Sequence, residues 1–492
     1  MDQKATRRTF LQAGGTLAAA ALVGGQPLLA QADAPAGELG FMSAAQLTAK
    51  LRNKEVGSEE LARYFIARIE RYDKQLNTIV VRDFERALTA AKKADSLLAK
   101  GGNLGPLHGL PMTIKESYDI AGLPTTWGVP EAAQNIATAD AAVVERFKSA
   151  GALFLGKTNV PINLGDFQRF NAIYGTTNNP WDLTRTPGGS SGGSAAALAA
   201  GLTGLDSGSD IGGSIRNPAH FCGVYGHKPT LGIVPSRGHQ PPGMSANPQH
   251  PDLAVVGPMA RSAEDLSIAL DVVAGSNDLM SPGWRLELPV PRMKSLSGLR
   301  VALWPDDVMA PVSAEVAERI QSIGAKLSNL GAQVSDTARP AFAIQASHET
   351  YLGILDGITT GPASKLTYFD YQRLNGHRGA LRMAWQQFFK DWDVLLCPTT
   401  ATPAFKQDQS TIGTRTISVN GEQRPYFEQV FWAGLATLSY LPSTVFPTGL
   451  SKDGLPIGLQ AIGSEFNDRT TIEFARLMAD EIGGYQPPPG YV

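Results

Sequence analysis

Charge, cysteine and long apolar runs are all scarce in this sequence of 492 residues. Charged residues make up 18% and the formal net charge is −2. The isoelectric point is near 6.4. A nucleic-acid binder working through a basic face needs an excess of Lys and Arg, so none is expected as a partner. Only two cysteines are present. That excludes a disulfide scaffold and a cysteine-rich zinc or iron–sulfur site. The seven histidines are scattered without a close His/Glu pattern, so neither a metal nor a cofactor is expected. What is present is ordinary apolar content, 43%, which excludes a disordered chain. The 52 glycines and 33 prolines imply many tight turns. Length alone suggests about three domains, although large α/β enzymes often use such a length as one unit.

The first residues read as an address. Thr6-Arg7-Arg8-Thr9-Phe10-Leu11-Gln12 precedes an apolar stretch over 17–23, then Ala30-Gln31-Ala32. This pattern predicts a twin-arginine secretion signal cut after Ala32, over residues 1–32, and a mature chain exported to a bacterial periplasm. Gly14, Gly15, Gly24, Gly25, Gln26 and Pro27 interrupt the stretch. No run of about 20 apolar residues remains, so no stable membrane anchor is expected after cleavage. Cys222 and Cys397 would then meet oxidising conditions. Two free buried thiols are the expectation for them.

Residues 33–492 read as a single domain. A helical part covers about 40–100. Ser43-x-x-Gln46 fits a capping box ahead of Leu47 and Leu51. Ser58 opens a helix whose apolar face is Leu61, Phe65, Ile69 and Tyr72. A third helix carries Phe84, Leu88, Ala91 and Leu98. Short apolar runs follow at 112–114, 153–155, 253–256, 299–303 and 394–396, and read as strands. Helices at 140–150, 262–274 and 313–330 alternate with them. Such alternation predicts an α/β sandwich around a buried sheet. The stretch 340–390 reads as helical and as a wall of the substrate site.

The informative segment is Gly188-Gly189-Ser190-Ser191-Gly192-Gly193-Ser194, followed by Ser209-Asp210-Ile211-Gly212-Gly213-Ser214-Ile215-Arg216. Between Thr186 and Ile215 the only charges are Asp206 and Asp210. Glycine lets successive N–H groups converge on an anion, the physics of an oxyanion hole. A flexible Gly/Ser linker would not carry Ile211, Ile215 and an Ala/Leu run at helical spacing. A phosphate loop would need a Lys directly before Ser or Thr, which neither glycine run has. Gly189-Ser190-Ser191-Gly192-Gly193 also matches the G-x-S-x-G elbow of α/β-hydrolases, with Ser191 as nucleophile of an esterase. That elbow should follow an apolar strand, and residues 178–187 read as loop.

The segment resembles the amidase signature family, the Ser–cis-Ser–Lys amide hydrolases. The likeness extends to Gly105-Pro106-Leu107-His108-Gly109-Leu110-Pro111-Met112-Thr113-Ile114-Lys115-Glu116. It continues through Gly156-Lys157-Thr158-Asn159, Gly226-His227-Lys228-Pro229-Thr230 and Gly454-Leu455-Pro456-Ile457-Gly458-Leu459-Gln460. The signature core spans about 105–275 and a C-terminal substrate-wall part about 299–465. The resemblance implies an amidase-signature fold: a central mixed, mostly parallel sheet covered by helices on both faces. It implies Ser214 as nucleophile, Ser190 as bridging serine 24 positions earlier, and Lys115 as catalytic lysine. It places an oxyanion hole at the N–H groups of Ile211, Gly212, Gly213 and Ser214, and supporting hydrogen bonds at Ser191, Asp210 and Arg216.

The residues agree with that chemistry. A serine hydroxyl is a poor nucleophile until a base takes its proton, and neither Gly/Ser segment holds a histidine. Lysine serves as the base only when neutral, and burial lowers its pKa. The expected reaction is hydrolysis of a small or hydrophobic carboxylic amide to an acid plus ammonia or an amine. Two further readings are an amidotransferase subunit, which needs cytosolic partners, and an exported binding protein with a disused site. Departures from the family pattern are Glu116 in place of Asp, the segment Thr158-Asn159-Val160-Pro161-Ile162-Asn163-Leu164, and His227 where an apolar residue is usual. The last two are expected to shape the substrate pocket, unless His227 is a satisfied core histidine.

Overall fold

The computed structural model describes residues 38–492, apart from 245, 246, 248 and 249. The signal-peptide reading of 1–32 lies outside the described residues. Local signals set the first helices. Ser43 Oγ accepts the Gln46 N–H at 3.1 Å while Gln46 Oε1 accepts the Ser43 N–H at 2.9 Å. This reciprocal cap opens the helix Ala44–Arg52, with Leu47 and Leu51 buried. The next helix, Ser58–Leu76, has Gly57 as its cap residue, and Ser58 Oγ donates instead to the Gly109 carbonyl at 2.9 Å. The helix Phe84–Ala99 follows.

Two sheets carry the residues of interest. In the smaller, Pro111–Lys115 runs parallel to Leu153–Thr158, which pairs antiparallel with Ile79–Arg82. The larger has eight strands in the order Gln333–Ser335, Arg300–Leu303, Val394–Pro398, Pro456–Ile462, Ser443–Leu450, Tyr225–Lys228, Val255–Ala260 and Asp206–Asp210. The Thr113 N–H donates to Leu205 O at 3.1 Å, and the Gly204 N–H to Pro111 O at 3.2 Å. These bonds set the Lys115 strand beside the edge strand Asp206–Asp210.

The large sheet is mostly antiparallel, which corrects the expectation of a mostly parallel one. Only the pairings of Arg300–Leu303 with its two neighbours are parallel. The other five are antiparallel. The reason lies in where returning strands insert. Asp206–Asp210 and Tyr225–Lys228 are joined through the helix Arg216–Cys222. Both are antiparallel to Val255–Ala260, which sits between them, so they run the same way without touching. Val394–Pro398 and Ser443–Leu450 repeat the arrangement with Pro456–Ile462 between them. Helices thus join parallel strands, and a third strand separates each pair.

Helices cover both faces of this sheet. Successive strand residues point to opposite sides. Val445 packs with Ala195, Ala199, Ile215 and Ala219, from the helices Gly192–Ala199 and Arg216–Cys222 and the turn before the second. Its neighbour Phe446 meets Phe474 of the helix Asp468–Ile482, ring centroids 5.8 Å apart. The stretch 340–390 is helical, as Ile344–Thr359 and Tyr368–Asp391. A separate apolar cluster gathers Phe167, Tyr351, Ile354, Leu374, Tyr426 and Val430, with Ile211 packed against it.

Candidate active site

Lys115 ends its strand in the interior, fully buried. Its Nζ donates to Ser190 Oγ at 2.6 Å and to Ser209 Oγ at 2.8 Å. These partners are hydroxyls, not carboxylates, so neither compensates an ammonium charge fully. Burial lowers the Lys115 pKa well below the ordinary lysine value. The Arg169 guanidinium pushes it the same way, against the opposing pull of Asp210 and Asp206. Arg169 is itself buried and is brought down to about 9 by desolvation. Its Nη1 donates to the Asn159 carbonyl and its Nη2 to Gly188 O at 3.3 Å.

The serine segment is a tight turn entering a helix. The Gly189–Ser190 peptide is cis. Gly188 has a φ of +85°, and a Cβ there would meet Asn217 Oδ1 at 2.6 Å, so the turn requires glycine. Asn217 Oδ1 accepts the Gly189 N–H at 3.1 Å. The Ser191 N–H donates to the Ser214 carbonyl at 3.0 Å, which ties the second glycine-rich loop to the first. Ser191 Oγ faces the strand backbone, accepting the Ser209 N–H at 3.3 Å. Among the described residues no histidine is its partner, and the chain before it is loop, unlike a hydrolase elbow.

Asp210 organises the second loop. Its carboxylate accepts the N–H groups of Gly213 and Ile215, each at 3.0 Å. Arg216 clasps the same carboxylate through Nε at 3.1 Å and Nη2 at 2.8 Å. Burial opposes the Asp210 charge, but Arg216 overrides it and holds the pKa at about 2. The remaining Arg216 N–H groups reach Thr437 Oγ1 at 2.8 Å, Ala433 O at 3.1 Å and Gln460 Oε1 at 2.9 Å. All five guanidinium donors are therefore satisfied.

Of the four N–H groups expected at the oxyanion hole, one is engaged within the loop. The Gly213 N–H is engaged by Asp210, so it is a loop brace rather than a free donor. The N–H groups of Ile211, Gly212 and Ser214 meet no protein acceptor among the described residues. Ser214 is 8% exposed, and no hydrogen bond joins its hydroxyl to that of Ser190 among the described residues.

Other expectations also find their places. Glu116 accepts the N–H groups of Thr126 at 2.6 Å and Trp127 at 3.0 Å, so its extra methylene serves a backbone turn. His227 is a satisfied core histidine between Thr444 Oγ1 at 2.9 Å and Asp468 Oδ1 at 3.1 Å. Cys222 and Cys397 are free and buried, and desolvation raises both thiols' pKa values. No sequence pattern marks the roles of Ser209 and Arg169. Gln460, within the last of the family-like segments, accepts from Arg216 and Ser443 and donates to the Pro398 and Trp432 carbonyls. Asp206 is fully buried, and desolvation raises its pKa to about 7 against bonds from Thr113, Ser194 and the Ser207 N–H. Asp206 had one visible signal, as one of two charges in a long uncharged stretch.

The family described as Amidase matches residues 60–361 and 347–472. An indoleacetamide hydrolase of Bradyrhizobium diazoefficiens is 34% identical, over 91% of this chain and 88% of that protein. A glutamyl-tRNA(Gln) amidotransferase subunit of Moorella thermoacetica is 33% identical, over 89% of this chain and 96% of that protein. The crystal structure of a bacterial aryl acylamidase of the amidase signature family shares the fold. Its TM-score is 0.78 at 24% identity, covering 92% of this chain and 98% of that one.

Proposed function

The chain belongs to the amidase family and is an amide hydrolase, and we propose that Ser214 is its nucleophile, with Lys115 and Ser190 as proton relay. The observation that carries this reading is the buried Lys115 amine on the Ser190 hydroxyl at 2.6 Å. A neutral amine there takes a proton from Ser190 as Ser190 takes the Ser214 proton, and Ser214 Oγ attacks the amide carbonyl. The N–H groups of Ile211, Gly212 and Ser214 meet the developing oxyanion. The relay then protonates the leaving ammonia or amine. Water enters, loses its proton along the same relay and releases the acid from Ser214. The C–N bond breaks, one water is consumed, and no redox change occurs.

The likeness to an indoleacetamide hydrolase supports a small amide carrying an apolar group as the substrate. Labelling with a fluorophosphonate, then peptide mapping, tests the nucleophile. Ser214 should carry the adduct, Ser214→Ala should take none, and Lys115→Ala should label at least about 100-fold more slowly. A label on Ser191 would point to the elbow reading, and no label to a binding protein. The relation to amidotransferases is separated by asking whether the chain alone, without partner proteins, hydrolyses free amides.

Export by the twin-arginine route is also proposed, on Arg7-Arg8, the weakly apolar stretch and Ala30-Gln31-Ala32. Replacing both arginines by lysine should leave the precursor in the cytoplasm. Undiminished periplasmic protein in that variant would sink the proposal. No helix of the described residues is long and apolar enough to cross a membrane.

A further inference from the structure

We infer that the Tyr351 hydroxyl orients the oxyanion-binding peptide, which makes Tyr351 a positioning residue for the reaction. The inference rests on the reading of Ser214 as nucleophile. Tyr351 lies on the helix Ile344–Thr359, far along the chain from the glycine–serine loops. It is 1% exposed, and its hydroxyl donates to the Ile211 carbonyl at 2.9 Å. Its ring lies on Gly434 of the helix Val430–Thr437, where a Cβ would fall 2.7 Å from Cδ1. The ring has this seat only because residue 434 lacks a side chain.

Peptide geometry converts that contact into a function. The Ile211 carbonyl and the Gly212 N–H belong to one planar trans peptide and point in opposite directions. A carbonyl held toward Tyr351 therefore holds the Gly212 N–H toward the other side. The following N–H, on Gly213, is held by Asp210 Oδ1 at 3.0 Å. Asp210 and Tyr351 thus clamp the peptides on either side of Gly212. Gly212 has the backbone freedom to let an unclamped Ile211–Gly212 peptide flip. A flip would aim a carbonyl oxygen where a donor is needed and repel the developing oxyanion. The ring itself packs among Ile354, Phe431 and Leu435, with the His348 ring 6.5 Å away between centroids, while its hydroxyl reaches the Ile211 carbonyl.

The test uses Tyr351→Phe, which keeps the ring and removes the hydroxyl. Wild type and variant are treated with a fluorophosphonate, and rate, saturation and endpoint are measured. The endpoint counts competent sites, so a folding defect does not enter the rate. The expected result is a Ser214 label in both proteins and a half-saturating probe concentration changed less than about twofold. The limiting rate per labelled site should be about tenfold or more lower, a part of the 10²–10³ lost with a whole oxyanion donor. A packing role alone would lower the melting temperature or the endpoint but leave the rate per labelled site unchanged. That outcome overturns the inference. A wild-type label on a serine other than Ser214 overturns the nucleophile assignment and this inference with it. Should Tyr351→Phe not fold, Gly434→Ala, which displaces the ring but keeps the hydroxyl, is measured and judged by the same rate per labelled site.

Discussion

As the proposed base, Lys115 would act only in its neutral form, so its surroundings would set the pH dependence of the reaction. Desolvation and Arg169 lower its pKa while Asp210 and Asp206 raise it. Activity should therefore rise with pH along a limb lying below the titration of an ordinary lysine. Asp206→Asn removes one charge that favours the ammonium, so the limb should move to lower pH. The phosphonylation rate of Ser214 against pH measures this. A limb that stays in place would remove Asp206 from the electrostatics of Lys115. The same variant has a stability signature. The Asp206 pKa is raised from 3.8 to about 7 in the folded chain, so its contribution is fully present below about pH 4 and lost as pH rises through about 7. Asp206→Asn should gain on wild type across that window, by roughly 1–4 kcal/mol in urea unfolding. Ser190, Ser191, Asp210, Ser214 and Arg216 lie on two neighbouring glycine–serine segments, whereas only the family resemblance joins Lys115, 75 positions before Ser190, to them. The part of Ser209 depends on which strand lies beside Lys115, and that of Arg169 on the loop that carries it to the Asn159 and Gly188 carbonyls. No local pattern encodes the Thr113–Leu205 bond that decides the first.

The helix Gly192–Ala199 illustrates how a short element becomes fixed. Every residue of it is buried, and it packs so closely that a Cβ on Gly193 would lie 2.6 Å from Asn159 N and 2.8 Å from Asn159 O. Backbone atoms cannot step aside as a flexible side chain can. Gly193→Ala should therefore destabilise by about 1–3 kcal/mol, an overpacking effect. Gly376, within Tyr368–Asp391, is exposed, and a methyl added there would meet nothing within 4 Å. Gly376→Ala should stabilise by about 0.4–1 kcal/mol. Urea midpoints at constant slope compare the two, and equal effects would contradict the close approach at residue 193. Elements such as these were readable where the signal is local. The Ser43–Gln46 box and the alternation of helices with strands needed only neighbouring residues. Strand direction was not readable, because it hinges on Val255–Ala260 and Pro456–Ile462 inserting between strands that helices had joined. Pairing of that kind is a property of distant segments.

Arg216 joins those distant segments into one working unit. It takes Asp210 from an edge strand of the large sheet, Ala433 and Thr437 from a later helix, and Gln460 from a central strand. The loop after Asp210 is thus braced by residues that the chain supplies 217–244 positions beyond Arg216. The Ser443–Leu450 strand pairs on one side with Tyr225–Lys228 and on the other with Pro456–Ile462, so the later segments are also built into the sheet beneath the loop. Arg216→Lys keeps the positive charge but cannot reproduce a planar fork with five donors. It leaves the buried Asp210 carboxylate with a weaker partner and strands the acceptors on Thr437, Ala433 and Gln460. Breaking a buried ion pair is worth about 3–5 kcal/mol. The retained charge should keep the loss toward the lower end of that range. The urea midpoint should fall accordingly, and the limiting phosphonylation rate per labelled Ser214 should fall with it, because Asp210 also holds the Gly213 and Ile215 N–H groups. A variant with the lower midpoint but the wild-type rate would show that Arg216 supports the sheet without shaping the loop. Loss of both together identifies one network that holds the fold and aims the site.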